Sequence, residues 1–275
     1  METHMRYTAR SPALRVEKAF NIDFPVDHVE EARRTNIEAD IKRVTVNPVT
    51  DPHHWKLDTH GFCILQAKSN LDLREVFERR EDMQKSYWYE VEAILHKSFP
   101  QYSRIEAFDL TSRKRDEDFP DLVTGYRDEY EPPSTTVHCD YSRAGGPKIL
   151  KHCFPGQDDY WKDKKFDLIN VWRLASSPTD DWPLALCDYT TVDVDKDVLC
   201  IDNIRRDVVD EASLLHFNEA HKWYYFKGIG VDDLIVFRNC DSDGERARAF
   251  HAAVANPQST GPSRESIEVR LVAFY

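Results

Sequence analysis

Apolar residues recur at steps of three and four positions between residues 72 and 97, the spacing that places them on one face of an α-helix. Asn70 or Asp72 can accept hydrogen bonds at the start of this segment, and Pro100 follows its end. The pattern therefore predicts one long amphipathic helix over residues 72–97. The apolar positions that define it are Leu73, Val76, Phe77, Tyr87, Val91, Ile94 and Leu95.

After residue 100 the chain becomes a series of short apolar runs separated by turn-forming residues. Gly- and Pro-containing turns at 145–147, 155–156 and 261–262 divide several of these runs. Many short strands at regular intervals predict a mainly β protein, built as a sandwich or a barrel. The candidate strands are residues 62–65, before the helix, and residues 135–138, 149–153, 166–174, 184–192, 214–217, 223–226, 234–239, 251–255 and 266–274.

Residues 1–54 carry mixed charge and few aromatic side chains. We expect this segment to be an N-terminal arm with one short helix, which wraps the body or is partly mobile. The remaining sequence shows neither an internal repeat nor a linker-like stretch. The 275 residues are therefore expected to form one domain, with the arm over residues 1–54 and the body over residues 55–275.

The charge balance narrows the possible partners. Asp and Glu number 49 against 37 Lys and Arg, which gives a net charge of −12. Proteins that bind nucleic acids usually carry a basic surface, so this balance disfavours such a partner. No apolar run approaches the roughly 18 residues that a membrane helix needs, and the N-terminus lacks the apolar core of a secretory signal. We expect a cytoplasmic protein with no membrane partner.

Two histidines are followed two positions later by an acid: His138 by Asp140, and His28 by Glu30. With 11 His and 49 acidic residues, about two such spacings arise by chance, so the spacing alone carries little information. Residues i and i+2 of an extended chain point the same way, so an imidazole and a carboxylate would project together. His138 ends a strand-like run, whereas His28 lies in the charged arm. We therefore favour His138 and Asp140 as a metal-binding pair.

A third metal ligand is expected from a later strand of the same barrel. His251 opens the apolar run 251–255 and follows a second apolar run at residues 234–237. A histidine in such a position is most often a core residue, but two histidines and one carboxylate are also the set that binds iron(II) with open coordination positions. His251 is therefore the candidate third ligand.

Arginine and serine residues near the C-terminus can bind a carboxylate. Arg264 and Ser266 would share one face of the terminal strand, where a guanidinium and a hydroxyl can together hold such a group. Arg270 lies on the same face and is the second candidate. Arg173 ends an apolar strand; it can reach a cosubstrate or substrate carboxylate, and a structural ion pair is an equal alternative.

The order of these residues along the chain is His-x-Asp, a long strand-rich interval, a second His, and Arg-x-Ser. This ordered set resembles the Fe(II)/2-oxoglutarate-dependent oxygenases. Within them it is most similar to the largely fungal family of the aspergillic acid hydroxylase, the gibberellin desaturase and the small subunit of the cephamycin methoxylase. The resemblance covers about residues 55–275, and the segments that carry it are residues 170–173, 183–188, 223–226, 237–242 and 264–270.

The resemblance implies a double-stranded β-helix, or jelly roll, with a flanking helix and the N-terminal arm. It implies that His138, Asp140 and His251 bind Fe(II). It further implies that Arg264 with Ser266 anchors the distal carboxylate of 2-oxoglutarate, while O2 takes the last metal position.

The resemblance also implies a small natural-product intermediate as substrate, oxidised by hydroxylation, desaturation or cyclisation in secondary metabolite biosynthesis. Two alternatives stay open. One is a non-catalytic partner subunit that presents a substrate to another enzyme. The other is a cupin-like metal-dependent isomerase, which would need neither Arg-x-Ser nor 2-oxoglutarate.

Three tyrosines lie near the His-x-Asp segment in the sequence. Tyr126, Tyr130 and Tyr141 are candidates for lining the substrate pocket. Packing is the more common role of an aromatic side chain in such a position.

Overall fold

Two β-sheets form most of the protein. The computed structural model describes residues 1–120 and 130–275. Nine strands in the order β1-β3-β11-β8-β13-β6-β10-β9-β2 form the larger sheet, and five in the order β4-β12-β7-β14-β5 form the smaller one. The strands are β1 Glu2–Thr8, β2 Ala19–Ile22, β3 Ala39–Pro48, β4 Phe62–Gln66, β5 Arg104–Lys114, β6 His138–Cys139, β7 Phe166–Leu174, β8 Leu184–Cys187, β9 Val198–Ile204, β10 Val209–Leu215, β11 Trp223–Tyr225, β12 Asp233–Asp241, β13 His251–Ala253 and β14 Glu265–Phe274.

Six α-helices accompany the sheets in the described residues, and three of them are single turns of four residues. The helices are α1 Leu57–His60, α2 Leu73–Glu78, α3 Arg80–Ser98, α4 Gly145–Cys153, α5 Asp158–Trp161 and α6 Val194–Asp197. Three short 3₁₀-helices cover Pro12–Arg15, Pro52–His54 and Tyr189–Thr191. Within the ranges 1–120 and 130–275, none of the helices has the length and apolar character needed to cross a membrane.

The smaller sheet is covered on both faces. All nine residues of β7 are buried, as expected for a central strand that is covered on each side. One face packs against α3 through Tyr87, Val91 and Leu95, spaced four residues apart. The other face, including Trp172 of β7 and Phe237 of β12, packs against the larger sheet. The predicted mainly β architecture with a flanking helix is therefore present.

The predicted helix over residues 72–97 is divided in two. Arg79 adopts φ −118° and ψ 45°, which is outside the helical region and ends α2 before α3 begins. Asp72 caps α2 as predicted, because its side chain accepts a hydrogen bond from the backbone N–H of Arg74. The spacing of the apolar residues stays in phase across Arg79, so the sequence pattern could not reveal the break between α2 and α3.

The expected strand at residues 149–153 is wrong, since this segment belongs to α4. Ile149 and Leu150 are buried like strand residues, but Pro147 lies in the first helical turn, where its fixed φ and missing N–H suit a helix start. A Cβ at Gly145 would lie 2.1 Å from the carbonyl oxygen of Glu211. The glycine therefore permits the close contact between α4 and β10.

Residues 1–54, which we expected to form an arm with one short helix, contribute strands to the larger sheet. This segment supplies β1, β2 and β3; β1 pairs with β3 over seven residues, and β2 adds in parallel to β9. Met5 and Tyr7 are buried in the core, while the alternating His4 and Arg6 are exposed. The polar half of this alternation gives the sequence its charged appearance and conceals the strand.

Candidate metal centre

Two strands of the larger sheet bring the three predicted metal ligands together. His138 of β6 lies directly opposite His251 of β13, and their ring centroids are 4.3 Å apart. Asp140 follows β6, and its side chain projects on the same side as His138. The side chain of Cys139 points the other way, into the core. The alternation expected from the sequence therefore produces one cluster.

The potential ligand atoms of His138, Asp140 and His251 lie within 4.8 Å of one another. In the described part of the chain, this is the one group of three or more His, Cys, Asp or Glu side chains arranged to share an ion. His28 and Glu30, the alternative pair, are both exposed in the N-terminal segment.

Hydrogen bonds fix the tautomer of both imidazoles. Nδ1 of His138 lies 2.7 Å from the carbonyl oxygen of Thr136, and Nδ1 of His251 lies 3.1 Å from that of Ala249. A carbonyl oxygen only accepts, so each Nδ1 carries the proton and each Nε2 presents a lone pair. The two Nε2 atoms lie 3.2 and 3.8 Å from Oδ1 of Asp140, with His138 the nearer.

The other oxygen of the Asp140 carboxylate is held by donors from the smaller sheet. Asn170 Nδ2 and Arg270 Nε donate to Oδ2 at 2.8 and 2.7 Å. Asn239 accepts a hydrogen bond from the backbone N–H of Asp140 at 2.9 Å and donates to Asn170 Oδ1 at 2.7 Å. These bonds leave Oδ1 directed at the two imidazoles.

The electrostatics favour the protonation states that a metal requires. Burial alone would raise the pKa of Asp140, but Arg270 and the neighbouring imidazoles hold that pKa well below its ordinary value. Burial, together with the nearby His138, lowers the pKa of His251 to about 3. The cluster therefore offers an ionised carboxylate and a neutral imidazole, the donor set of a divalent iron site.

A narrow cavity extends from the two histidines towards Arg264, which is 2% exposed. Arg264 Nη1 donates to the carbonyl oxygen of Trp182 at 2.5 Å. Its Nε atom and the hydroxyl of Ser266 have no hydrogen-bond partner in the described residues. Unpaired buried donors are costly, each about 1–3 kcal/mol, so this end of the cavity is suited to an oxygen-rich ligand.

The charge of Arg264 is poorly compensated by the protein. Burial and the nearby Arg113 lower the pKa of Arg264 to about 9, although Asp181 and Glu268 act in the opposite direction. The guanidinium still carries its proton at neutral pH. A carboxylate that entered the cavity would stabilise this charge, as the 2-oxoglutarate assignment requires.

The two other candidate arginines occupy different environments. Arg270 is already paired: it binds Asp140, forms a short contact with Asp109, and lies 3.0 Å from Glu268. Arg173 lies on the opposite side of the smaller sheet, where Nε donates to the carbonyl oxygen of Val231 at 2.8 Å. The structure therefore does not bring Arg173 to the cavity. Arg270 holds the carboxylate of Asp140 and does not line the narrow cavity.

Only one of the three predicted tyrosines is seen beside the metal cluster. Tyr141 is buried and lines a larger cavity together with His138, Asp140 and Arg270. Tyr130 packs against Phe77, and its hydroxyl donates to Asp116. Tyr126 lies outside the described residues.

Asn170 and Asn239 were not singled out from the sequence. Both interrupt strongly apolar strands, β7 and β12, and both are at most 1% exposed. A buried polar side chain needs hydrogen-bond partners, so an asparagine within an apolar strand was the available signal. Their partner, Asp140, could not be identified without knowing which strands are neighbours.

Asn170→Ala is expected to weaken metal binding by roughly 10- to 100-fold, the usual effect of removing a partner that orients a ligand. Titration with Co(II), followed by its visible absorption, measures the affinity. Asn218→Ala is a matched control, because Asn218 also donates to a buried aspartate, Asp197, at 3.0 Å but lies away from the cluster. Unchanged affinity in Asn170→Ala would contradict the assigned role.

Comparison with known proteins identifies the family. A family profile described as oxidoreductase/YMDC permease-like domain matches residues 5–274. The Fe(II)/2-oxoglutarate-dependent dioxygenase nvfI of Aspergillus novofumigatus is 29% identical over 229 residues, 80% of this chain and 78% of that protein. The hydroxylase/desaturase CTB9 of Cercospora beticola is 26% identical over 244 residues, 81% of this chain and 73% of that protein.

A solved structure shares the fold. The iron and alpha-ketoglutarate-dependent endoperoxidase NvfI aligns with a TM-score of 0.82 at 23% identity, covering 100% of this chain and 97% of that one. This alignment confirms the predicted jelly roll, and the relatives confirm the predicted oxygenase class with its iron and 2-oxoglutarate. The resemblance to aspergillic acid hydroxylase and the cephamycin methoxylase subunit stays a prediction. The chain belongs to the oxidoreductase/YMDC permease-like domain family.

Proposed function

We propose that this protein is a mononuclear Fe(II)/2-oxoglutarate-dependent dioxygenase that oxidises a small natural-product intermediate. One observation carries the proposal. A cluster of two histidines with free Nε2 atoms and one ionised carboxylate is joined by a cavity to a buried arginine whose Nε has no partner in the described residues. A metal and a carboxylate-bearing cosubstrate together satisfy both halves of this arrangement.

The residues of the chain bind the iron and the cosubstrate and orient the metal ligands. His138, Asp140 and His251 hold the iron, while Arg264 and Ser266 hold the distal carboxylate of 2-oxoglutarate. Bound iron, 2-oxoglutarate and O2 supply the oxidation of a carbon–hydrogen bond, coupled to conversion of 2-oxoglutarate to succinate and CO2. Asn170 and Arg270 keep Oδ2 of Asp140 occupied, so that Oδ1 stays directed at the iron.

The larger cavity is the proposed substrate site. Its volume is about 460 Å³, and it opens beside His138 and Asp140. This volume is within the range of roughly 300–1,000 Å³ typical of small-molecule sites. Among the predicted tyrosines in the described residues, Tyr141 lines this cavity and can contact a substrate there.

The type of oxidation is left open between hydroxylation, desaturation and cyclisation. Relatives named for a hydroxylase/desaturase and for an endoperoxidase indicate that one scaffold supports several outcomes. A non-catalytic partner subunit would have no need for an intact ligand set with oriented imidazoles. A cupin-like isomerase would have no use for a buried arginine at the far end of the cavity.

The test uses the purified chain with Fe(II), ascorbate and 2-oxoglutarate. We expect a visible charge-transfer band when 2-oxoglutarate is added anaerobically, and slow succinate formation once O2 is admitted. His138→Ala should lose both signals, whereas His28→Ala should retain them. A chain that binds Fe(II) but gives neither band nor succinate would support the isomerase or the partner subunit instead.

A further inference from the structure

The N-terminal segment forms one wall of the cavity beside the metal cluster. Arg6 and Thr8 of β1 line the cavity, as does Ala39 at the start of β3. Strands β9 and β10 contribute the apolar Ile201 and Leu214 together with the polar Asn203 and Asp210. A molecule in this cavity would therefore contact a segment that carries none of the proposed metal or cosubstrate ligands.

Strand pairing aims the side chain of Arg6 into the cavity. The backbone N–H of Val137 donates to the carbonyl oxygen of Arg6 at 3.0 Å, and Arg6 forms a parallel bridge with Thr136. Paired residues in neighbouring strands point to the same face, and so do residues two positions further along. Arg6 and Thr8 therefore share the face of Thr136 and His138.

Most charged side chains around the cavity are neutralised by a protein partner. Arg270 binds Asp140, and Arg205 forms a short ion pair with Asp210. Arg6 is different: in the described residues its side chain has no hydrogen bond and no ion pair, and it is exposed at the cavity mouth. Arg6 is therefore available to bind a ligand at the mouth of the cavity.

We infer that Arg6 binds a negatively charged oxygen group of the substrate: a carboxylate, an enolate or a phenolate. The guanidinium donates paired hydrogen bonds to this anion, and an apolar part of the substrate packs on Ile201 and Leu214. This inference rests on the proposed function, since it names the substrate class of the same site. Arg6 is thus a specificity-determining residue supplied by the N-terminal segment.

Glu38 is the anion that also lines the mouth without an ion pair in the described residues. Its backbone carbonyl accepts from Ala9, past the end of β1, whereas that of Arg6 accepts from the residue next to His138. Arg6 therefore lies on the strand that adjoins residues 136 and 137, whereas Glu38 lies on the far side of β1 from them.

The test compares two dyes of similar shape, anionic 8-anilinonaphthalene-1-sulfonate and uncharged N-phenyl-1-naphthylamine, by fluorescence titration of the folded chain. We expect Arg6→Glu to weaken binding of the anionic dye by at least about tenfold and to change binding of the uncharged dye less than about twofold. Ala39→Trp, which fills the mouth, should weaken both. Circular dichroism melting confirms that each variant is folded.

Arg15→Glu is the matched control, because Arg15 is exposed in the same segment, changes the net charge equally and does not line the cavity. Equal losses for both dyes in Arg6→Glu, equal losses in Arg15→Glu, or binding untouched by Ala39→Trp would overturn the inference. So would failure of the wild-type chain to bind the anionic dye. Neither iron nor 2-oxoglutarate is present, so these results are independent of the succinate assay.

Discussion

Asp140→Ala is expected to abolish Fe(II) binding and all succinate formation while leaving the fold intact. The substitution removes the one anionic ligand of the cluster and leaves two neutral imidazoles, which should lower the affinity by more than about 100-fold. The fold should persist because Arg270, which loses one partner, still has Asp109 and Glu268. Metal content after dialysis and a circular dichroism melt measure the two effects separately.

Glu30→Ala is the control for this experiment. Glu30 has the same spacing from a histidine in the sequence but is exposed and does not belong to the cluster. We expect its metal content and succinate yield to match the wild type. If Glu30→Ala loses the metal and Asp140→Ala keeps it, the wrong histidine–acid pair has been assigned.

Arg264→Leu is expected to raise the 2-oxoglutarate concentration needed for half-maximal succinate formation by at least about 30-fold. Truncating one partner of a buried charged pair typically costs about 2–5 kcal/mol. The metal affinity should be unchanged, since Arg264 makes no hydrogen bond to Asp140. Succinate formation measured at increasing 2-oxoglutarate concentration gives the cosubstrate requirement, and a Co(II) titration gives the metal affinity.

Arg270→Gln provides the contrast. Arg270 donates to Asp140. This variant should therefore mainly lose metal affinity, whereas Arg264→Leu should mainly raise the requirement for 2-oxoglutarate. Arg264→Lys keeps the charge but loses the planar fork, and we expect an intermediate requirement for 2-oxoglutarate. A larger rise in that requirement for Arg270→Gln, or for Arg173→Met, would move the anchor away from Arg264.

The metal cluster could be anticipated from the sequence because its geometry is local. Alternation within a strand places His138 and Asp140 on one side whatever the rest of the fold does. His251 was a weaker candidate, since only the pairing of β13 with β6 brings it opposite His138. The strands with long apolar runs, such as β7 and β12, could also be predicted, because the apolar run lies within one segment of the sequence.

Features that depend on partners distant in the sequence were missed. The charged N-terminal segment conceals β1, because half of its residues face solvent or the cavity, and its strand character comes from pairing with β3 and residue 136. The burial of Ile149 and Leu150 fits a strand or a helix equally well. Arg173 and Arg264 both looked suitable as anchors, and only their positions on opposite sides of the smaller sheet separate them.

The ligands and their supports belong to different sheets: His138 and His251 lie on the larger one, whereas Asn170, Asn239 and Arg270 lie on the smaller one. Any substitution that shifts one sheet over the other therefore also moves the supports relative to the ligands. Laboratory evolution of this scaffold towards new substrates should accordingly retain changes in the cavity wall and reject those in the layer between the sheets, even when the latter leave thermal stability intact.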